Sequence, residues 1–198
     1  TTVLSKIGSD KLVNLRDRAL LLAAFASGGR RRSEIASLRI EQIQKDDPVL
    51  LNPADPHSPK LTALTLHLGR TKTNAAESDQ TAILIGKPAD ALFQWLGRAA
   101  ITSGPVFRAI DQWGNLKSGA LDAQSVNLIL KARIKTAGFD PAAFSAHGLR
   151  SGYLTEAARQ GVSLPEAMAQ SGHKSVQQAA SYYNDAERKL GRAARLMI

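Results

Sequence analysis

Residues 145–183 read SAHGLRSGYLTEAARQGVSLPEAMAQSGHKSVQQAASYY, and the punctuation of this stretch decides how the end of the chain folds. Ser145 is placed to cap a helix running to about Arg159, with Gly161 as its stop. Ser163-Leu-Pro-Glu166 has the spacing of a capping box, with Pro165 in the first turn, where a missing N–H is harmless. That helix ends at Ser171-Gly172, and Ser175-Val-Gln-Gln178 opens another that carries Tyr182 two turns along. The pieces are short and the turns sharp. His173 and Tyr182 are therefore expected to fold back towards His147 and Arg150, which lie three apart on one helix face.

Two histidines, an arginine and a phenol form most of a set for moving a phosphoryl group. A phosphodiester gathers negative charge in the transition state, which fixed cationic donors stabilise. A phenolic oxygen serves as nucleophile, and imidazole exchanges protons near neutrality. Each residue has a blander reading when taken singly. A lone histidine is usually structural or superficial, and His57 and His67, which fall in no motif, are read that way. Tyr153 is read as core.

Outward from this stretch, the chain reads as mainly α-helical with a small antiparallel sheet, an α+β fold in one domain over residues 1–198. Residues 9–27 predict a first helix, capped by Ser9 or Asp10 and ended by Gly28-Gly29. A second begins near Arg31 and runs to Leu38. Residues 40–43 are expected to form a short strand. Residues 44–60, rich in Pro and Asp, read as loop. Residues 61–68 and 81–85 read as strands, with a polar segment between them. Helices are expected over 88–100 and 122–136, a turn-rich linker over 103–119, and a last basic helix over 185–196.

Lys and Arg number 26 against 17 Asp and Glu, a net charge of +9, which favours a polyanionic partner. With no cysteine, disulfides and thiolate metal sites are excluded, as suits a reducing cytoplasm. No apolar run is long and charge-free enough to span a membrane, and no signal peptide is expected. The chain opens at Thr1 without methionine, as a fragment or processed product would.

Two further motifs complete the picture. Gly29-Arg30-Arg31-Arg32-Ser33-Glu34-Ile35 sits at a predicted helix start, and Gly69-Arg70-Thr71-Lys72-Thr73 lies between two predicted strands. An isolated arginine triplet reads as a solvated basic turn, and an isolated loop lysine as solvated. In the order Arg, Lys, His-x-x-Arg, His, Tyr, the motifs resemble the catalytic domain of tyrosine recombinases, the phage-integrase family. The tail is most similar to Cre-type members, including the GVS-x-PE turn and the nine-residue step from His173 to Tyr182. That step favours Tyr182 over Tyr183, which points about 100° away on a helix.

The resemblance implies the DNA breaking-rejoining fold and a role for each residue. Arg31 and Arg150 would clamp non-bridging phosphate oxygens, with Glu34 supporting. Lys72 would protonate the departing 5′ oxygen. His147 would accept the tyrosine proton or donate to phosphate, and His173 would donate to a phosphate oxygen. Tyr182 would attack phosphorus and form a 3′-phosphotyrosyl link, with no metal, ATP or other cofactor. Arg30, Arg32, Arg70 and Lys174 are expected DNA contacts. At Arg30 and Arg32 this sequence departs from the family, where apolar residues are usual, and helical divergence predicts that the three arginines cannot share one pocket.

The implied partner is double-stranded DNA at a specific site, bound by a homotetramer, with a monomer in the absence of DNA. The family's preceding DNA-clamping domain is expected to be absent from this chain. A prokaryotic or phage origin follows, with the protein at the nucleoid. The competing readings are a non-catalytic DNA-binding regulator derived from the family, a related topoisomerase or telomere resolvase, and a metal-dependent nuclease. The last would need a carboxylate cluster near the histidines, which the sequence does not place there.

Overall fold

The computed structural model describes residues 2–5, 7–8, 11–68 and 80–190. Its helices are α1 (Thr2–Ser5), α2 (Leu12–Ala26), α3 (Arg32–Ala36), α4 (Lys87–Arg98), α5 (Ala123–Thr136), α6 (Gly148–Arg159), α7 (Leu164–Ser171) and α8 (Val176–Leu190). Its strands are β1 (Ile43–Lys45), β2 (Val49–Leu50), β3 (Lys60–Leu61), β4 (Ala63–His67), β5 (Thr81–Ile85), β6 (Arg108–Ile110) and β7 (Leu116–Ala120). The class is the α+β one expected, with all strand pairs antiparallel.

The main sheet runs β1-β4-β5, with Leu64 opposite Leu84 and Leu66 opposite Ala82. These four side chains face inward and are buried, as the alternation along β5 requires. Helices α2 and α4 pack together and meet β5. Between them lies the main core of Leu20, Ile35, Leu38, Leu92, Trp95 and Phe107. Burying one such side chain contributes roughly 1.5–3 kcal/mol. Trp95 is fully buried and still satisfied, because its indole N–H donates to the Val106 carbonyl at 2.9 Å.

Helices α6, α7 and α8 form a second, smaller core from Leu154, Ala157, Ala158, Ala167, Ala179 and Tyr183. The Tyr183 hydroxyl donates to the Val162 carbonyl at 3.2 Å and anchors α8. A buried ion network joins α2 to α5. Asp17 accepts from Arg16 Nε and from Arg133 Nε, both at 2.8 Å.

Several expectations are corrected. The first long helix starts at Leu12, and its N-cap residue is Lys11, which makes no side-chain cap. Residues 40–42 form a 3-10 turn, and the strand begins only at Ile43. The Pro/Asp-rich stretch is not wholly loop: Val49 and Leu50 pair with Leu61 and Lys60 around it. The supposed linker over 103–119 contains the β6–β7 hairpin. Its tip is built on Asp111, whose Oδ1 accepts from the Trp113 and Asn115 amides at 3.0 and 2.9 Å. The helix expected over 185–196 is not separate in its described part, since α8 runs unbroken through Asp185 to Leu190, and residues 191–196 lie outside the described residues.

Candidate active site

The site is assembled at three chain turns. At the first, Gly28 and Gly29 adopt positive φ, 86° and 69°, and turn the chain out of α2. The turn delivers Arg31 to the start of α3, where Glu34 Oε2 accepts the Arg31 amide at 3.0 Å. The Arg31 guanidinium makes a long ion pair with Glu34 Oε1, 3.8 Å, and 62% of its side chain is exposed. An arginine so loosely held keeps its donors available to an anion.

At the second turn, Ser145 Oγ accepts the Gly148 amide at 2.9 Å, and Asn127 Oδ1 on α5 accepts the Ala146 amide at 2.9 Å. These bonds fix the entry to α6, so His147 stands exposed just before the helix and Arg150 half-buried in its first turn. Arg150 Nη1 donates to the Ser171 carbonyl at 2.7 Å. Burial, together with the charge of Arg31, lowers the Arg150 pKa, while Glu34 and Tyr182 act in the opposite sense.

At the third turn, Ser163 caps α7 and Gly172 closes it in the left-handed conformation, φ 64°. His173 follows. Burial, then Arg150 and Arg30, push its pKa down to about 4, so the imidazole is neutral at pH 7. Its Nδ1 lies 2.7 Å from Ser171 Oγ. Ser175 Oγ accepts the Gln178 amide at 3.2 Å and starts α8.

Arg31, His147, Arg150 and His173 line one cleft of about 420 Å³, together with Glu34 and Lys174. Tyr182 does not line it. It is half-buried, packs against the second core, and interacts electrostatically with Arg150. Its neighbour Tyr183 is buried, 2% exposed, as the helical offset requires. Tyr153 packs edge-on to Phe25 with ring centroids 5.9 Å apart, and burial raises its pKa.

Two expectations about the arginine triplet fail. Arg30, Arg31 and Arg32 do share an adjoining cleft, with His147 and Arg150. The helical argument does not apply, because Arg30 and Arg31 precede α3 and Arg31 is extended, with φ −59° and ψ 142°. Nor is Arg30 a surface contact for DNA. It is 3% exposed and donates to the carbonyls of Ser27, Thr81 and Gln170 and to Gln80 Oε1, each at 3.0–3.1 Å. It ties the end of α2 to β5 and to the His173 turn. Arg32 and Lys174 are exposed. Arg70 and Lys72 lie outside the described residues.

Sequence reasoning missed Ser171, Asn127 and the buried duty of Arg30. Ser171 reads in sequence as a helix end, but it touches both Arg150 and His173. Among the described residues, no group of three or more His, Asp or Glu is arranged to hold a metal ion. No helix there is long and apolar enough to cross a membrane.

The chain is similar to known proteins in sequence and in fold. An integrase/recombinase XerD homolog of Selenomonas ruminantium is 32% identical over 179 residues, covering 87% of this chain and 48% of that protein. Recombinase Cre of Escherichia phage P1 is 23% identical, covering 96% of this chain and 55% of Cre. The chain thus spans about half the length of these curated relatives. The fold is shared with the XerH site-specific recombinase in a post-cleavage complex with palindromic difH, at a TM-score of 0.71 and 18% identity, covering 98% of this chain and 50% of that one. It is also shared with XerA recombinase, at a TM-score of 0.64 and 18% identity, covering 100% of this chain and 62% of that one. The profile of the phage integrase family matches residues 4–189, and the chain belongs to that family.

Proposed function

We propose that this chain is the catalytic domain of a tyrosine-type site-specific DNA recombinase. Tyr182 Oη attacks a backbone phosphorus, a P–Oη bond forms, and the P–O5′ bond breaks. His147 takes the phenolic proton, and Lys72 supplies one to the departing 5′ oxygen. Arg31 and Arg150 hold the non-bridging oxygens, and His173 adds a neutral donor. The 3′-phosphotyrosyl link conserves the energy of the broken ester, so the 5′ hydroxyl of another strand can attack it and release the tyrosine. No metal, nucleotide or other cofactor takes part in these steps. Exchange between two duplexes requires four such cleavages, hence four protomers on DNA.

The observation that carries this reading is the convergence of Arg31, His147, Arg150 and His173 on one cleft, from positions spread over 143 residues of sequence. The +9 charge supports a DNA partner, and the XerH recombinase that shares this fold is bound to its difH substrate. Tyr182 stands back from the cleft, as a nucleophile that reaches its phosphate only on DNA binding would.

A nicked suicide substrate tests the reading. Incubated in chelator, the chain should give a covalent adduct that migrates as a shifted band on a denaturing gel. Failure to form that band, or its survival in Tyr182→Phe, overturns the assignment. The competing reading of a non-catalytic regulator predicts binding without any adduct.

A further inference from the structure

Ser171 is the last residue of α7 and is fully buried. Its Cα is pressed against the turn after α2, so that a Cβ built on Gly28 would fall 2.2 Å from it. Its carbonyl accepts from Arg150 Nη1 at 2.7 Å, and its hydroxyl meets His173 Nδ1 at 2.7 Å. One residue thus touches both a proposed phosphate clamp and a proposed phosphate donor.

A hydroxyl has one proton to give. The alternative acceptor, the Met168 carbonyl, lies 3.4 Å from Oγ, beyond a good O–H···O distance. If Nδ1 carried the ring proton, the hydroxyl would accept it and have only this long contact for its own proton. If the hydroxyl donates to Nδ1, the short contact is filled. A neutral imidazole has a single N–H, which then sits on Nε2, at the other edge of a ring that lines the cleft.

We propose that Ser171 is a positioning residue: its hydroxyl donates to His173 Nδ1 and fixes the Nε2–H tautomer that donates to a non-bridging phosphate oxygen. The proposal rests on reading His173 as a phosphate donor. The role is specific to the hydroxyl, because Ser171→Ala keeps the carbonyl that holds Arg150. It is distinct from acid-base duty, since no proton leaves either residue in the step.

The test uses the full chain labelled with 15N. Long-range proton–nitrogen spectra of the histidine rings at pH 7 report the tautomer directly, and His173→Gln identifies the His173 signals. His173 should be the Nε2–H form, and Ser171→Ala should bring in the Nδ1–H form. Adduct formation on the suicide substrate should slow roughly tenfold in Ser171→Ala, the worth of one hydrogen bond. In a His173→Gln background the same change should slow it no further. An Nδ1–H signal in the unaltered chain, a tautomer unmoved by Ser171→Ala, or a tautomer that moves with no loss of rate each overturns the proposal. The spectra need no DNA, so a failure of the proposed reaction is seen separately, as absence of adduct from the unaltered chain.

Discussion

Gly29 lies so close to Arg150 that a Cβ built on the glycine would fall 2.2 Å from the Arg150 Cα and 2.6 Å from its amide nitrogen. The contact is backbone on backbone, so no rotamer change relieves it. The spacing between Arg31, two residues on, and Arg150 therefore depends on a missing side chain. Gly29→Ala should lose roughly 1–3 kcal/mol for the positive φ alone and push α6 away from α3. We expect a lower melting temperature and a large loss of adduct, to be read by calorimetry and by gel. An alanine variant with unchanged melting would contradict the close approach.

The adjacent tyrosines should respond in opposite ways. Tyr183→Phe removes the hydroxyl that meets the Val162 carbonyl. It should cost about 1 kcal/mol and leave adduct formation intact. Tyr182→Phe should abolish the adduct while moving stability by less than about 0.5 kcal/mol. Urea melts beside the suicide-substrate gel separate the two, and a reversed pattern would move the nucleophile to Tyr183.

Arg30 and Arg31 adjoin in sequence and differ in work. Arg30→Met strands three carbonyls and should cost roughly 2–4 kcal/mol. Arg31→Met removes an exposed side chain. It should hold stability within about 0.5 kcal/mol and slow adduct formation about a hundredfold or more. Equal melting curves for the two variants would mean that the Arg30 tethers carry no load.

Stability should depend on pH through His173. The ordinary imidazole value is 6.5, and the folded chain holds His173 near 4. Stability from this group is complete above 6.5. As pH falls towards 4, the unfolded chain binds a proton that the folded chain refuses, and stability declines. His173→Gln should flatten that part of the urea-midpoint profile. An identical slope in the variant would show that the imidazole titrates normally.

Local punctuation carried much of this fold. Asp122, Ser163, Ser175 and Gly172 cap or close helices where their types predict, whereas Ser145 accepts the Gly148 amide from the turn before α6 and His147 holds the N-cap position. The β6–β7 hairpin was hidden because β7 is exposed along almost its whole length and shows no alternation. Arg30 was misread because a charged side chain reads as surface. Its acceptors on β5 and α7 lie 51 and 140 residues away, beyond any local pattern. Ser171 was hidden in the same way, since nothing in a helix-end serine announces a ring nitrogen two residues on.

The bed beneath α8 has a consequence for motion. Its buried side chains are Leu154, Tyr183 and four alanines, while Tyr153, Val162, Leu164, Met168 and Tyr182 pack against them only partly buried. Each methyl-sized group contributes only about 0.8 kcal/mol on burial. The terminal three helices should therefore lift away in a sub-global opening well before the leucine-rich layer melts, and their amides should exchange with deuterium first. The oxygen assigned to attack DNA thus rides on the segment that needs the least free energy to detach.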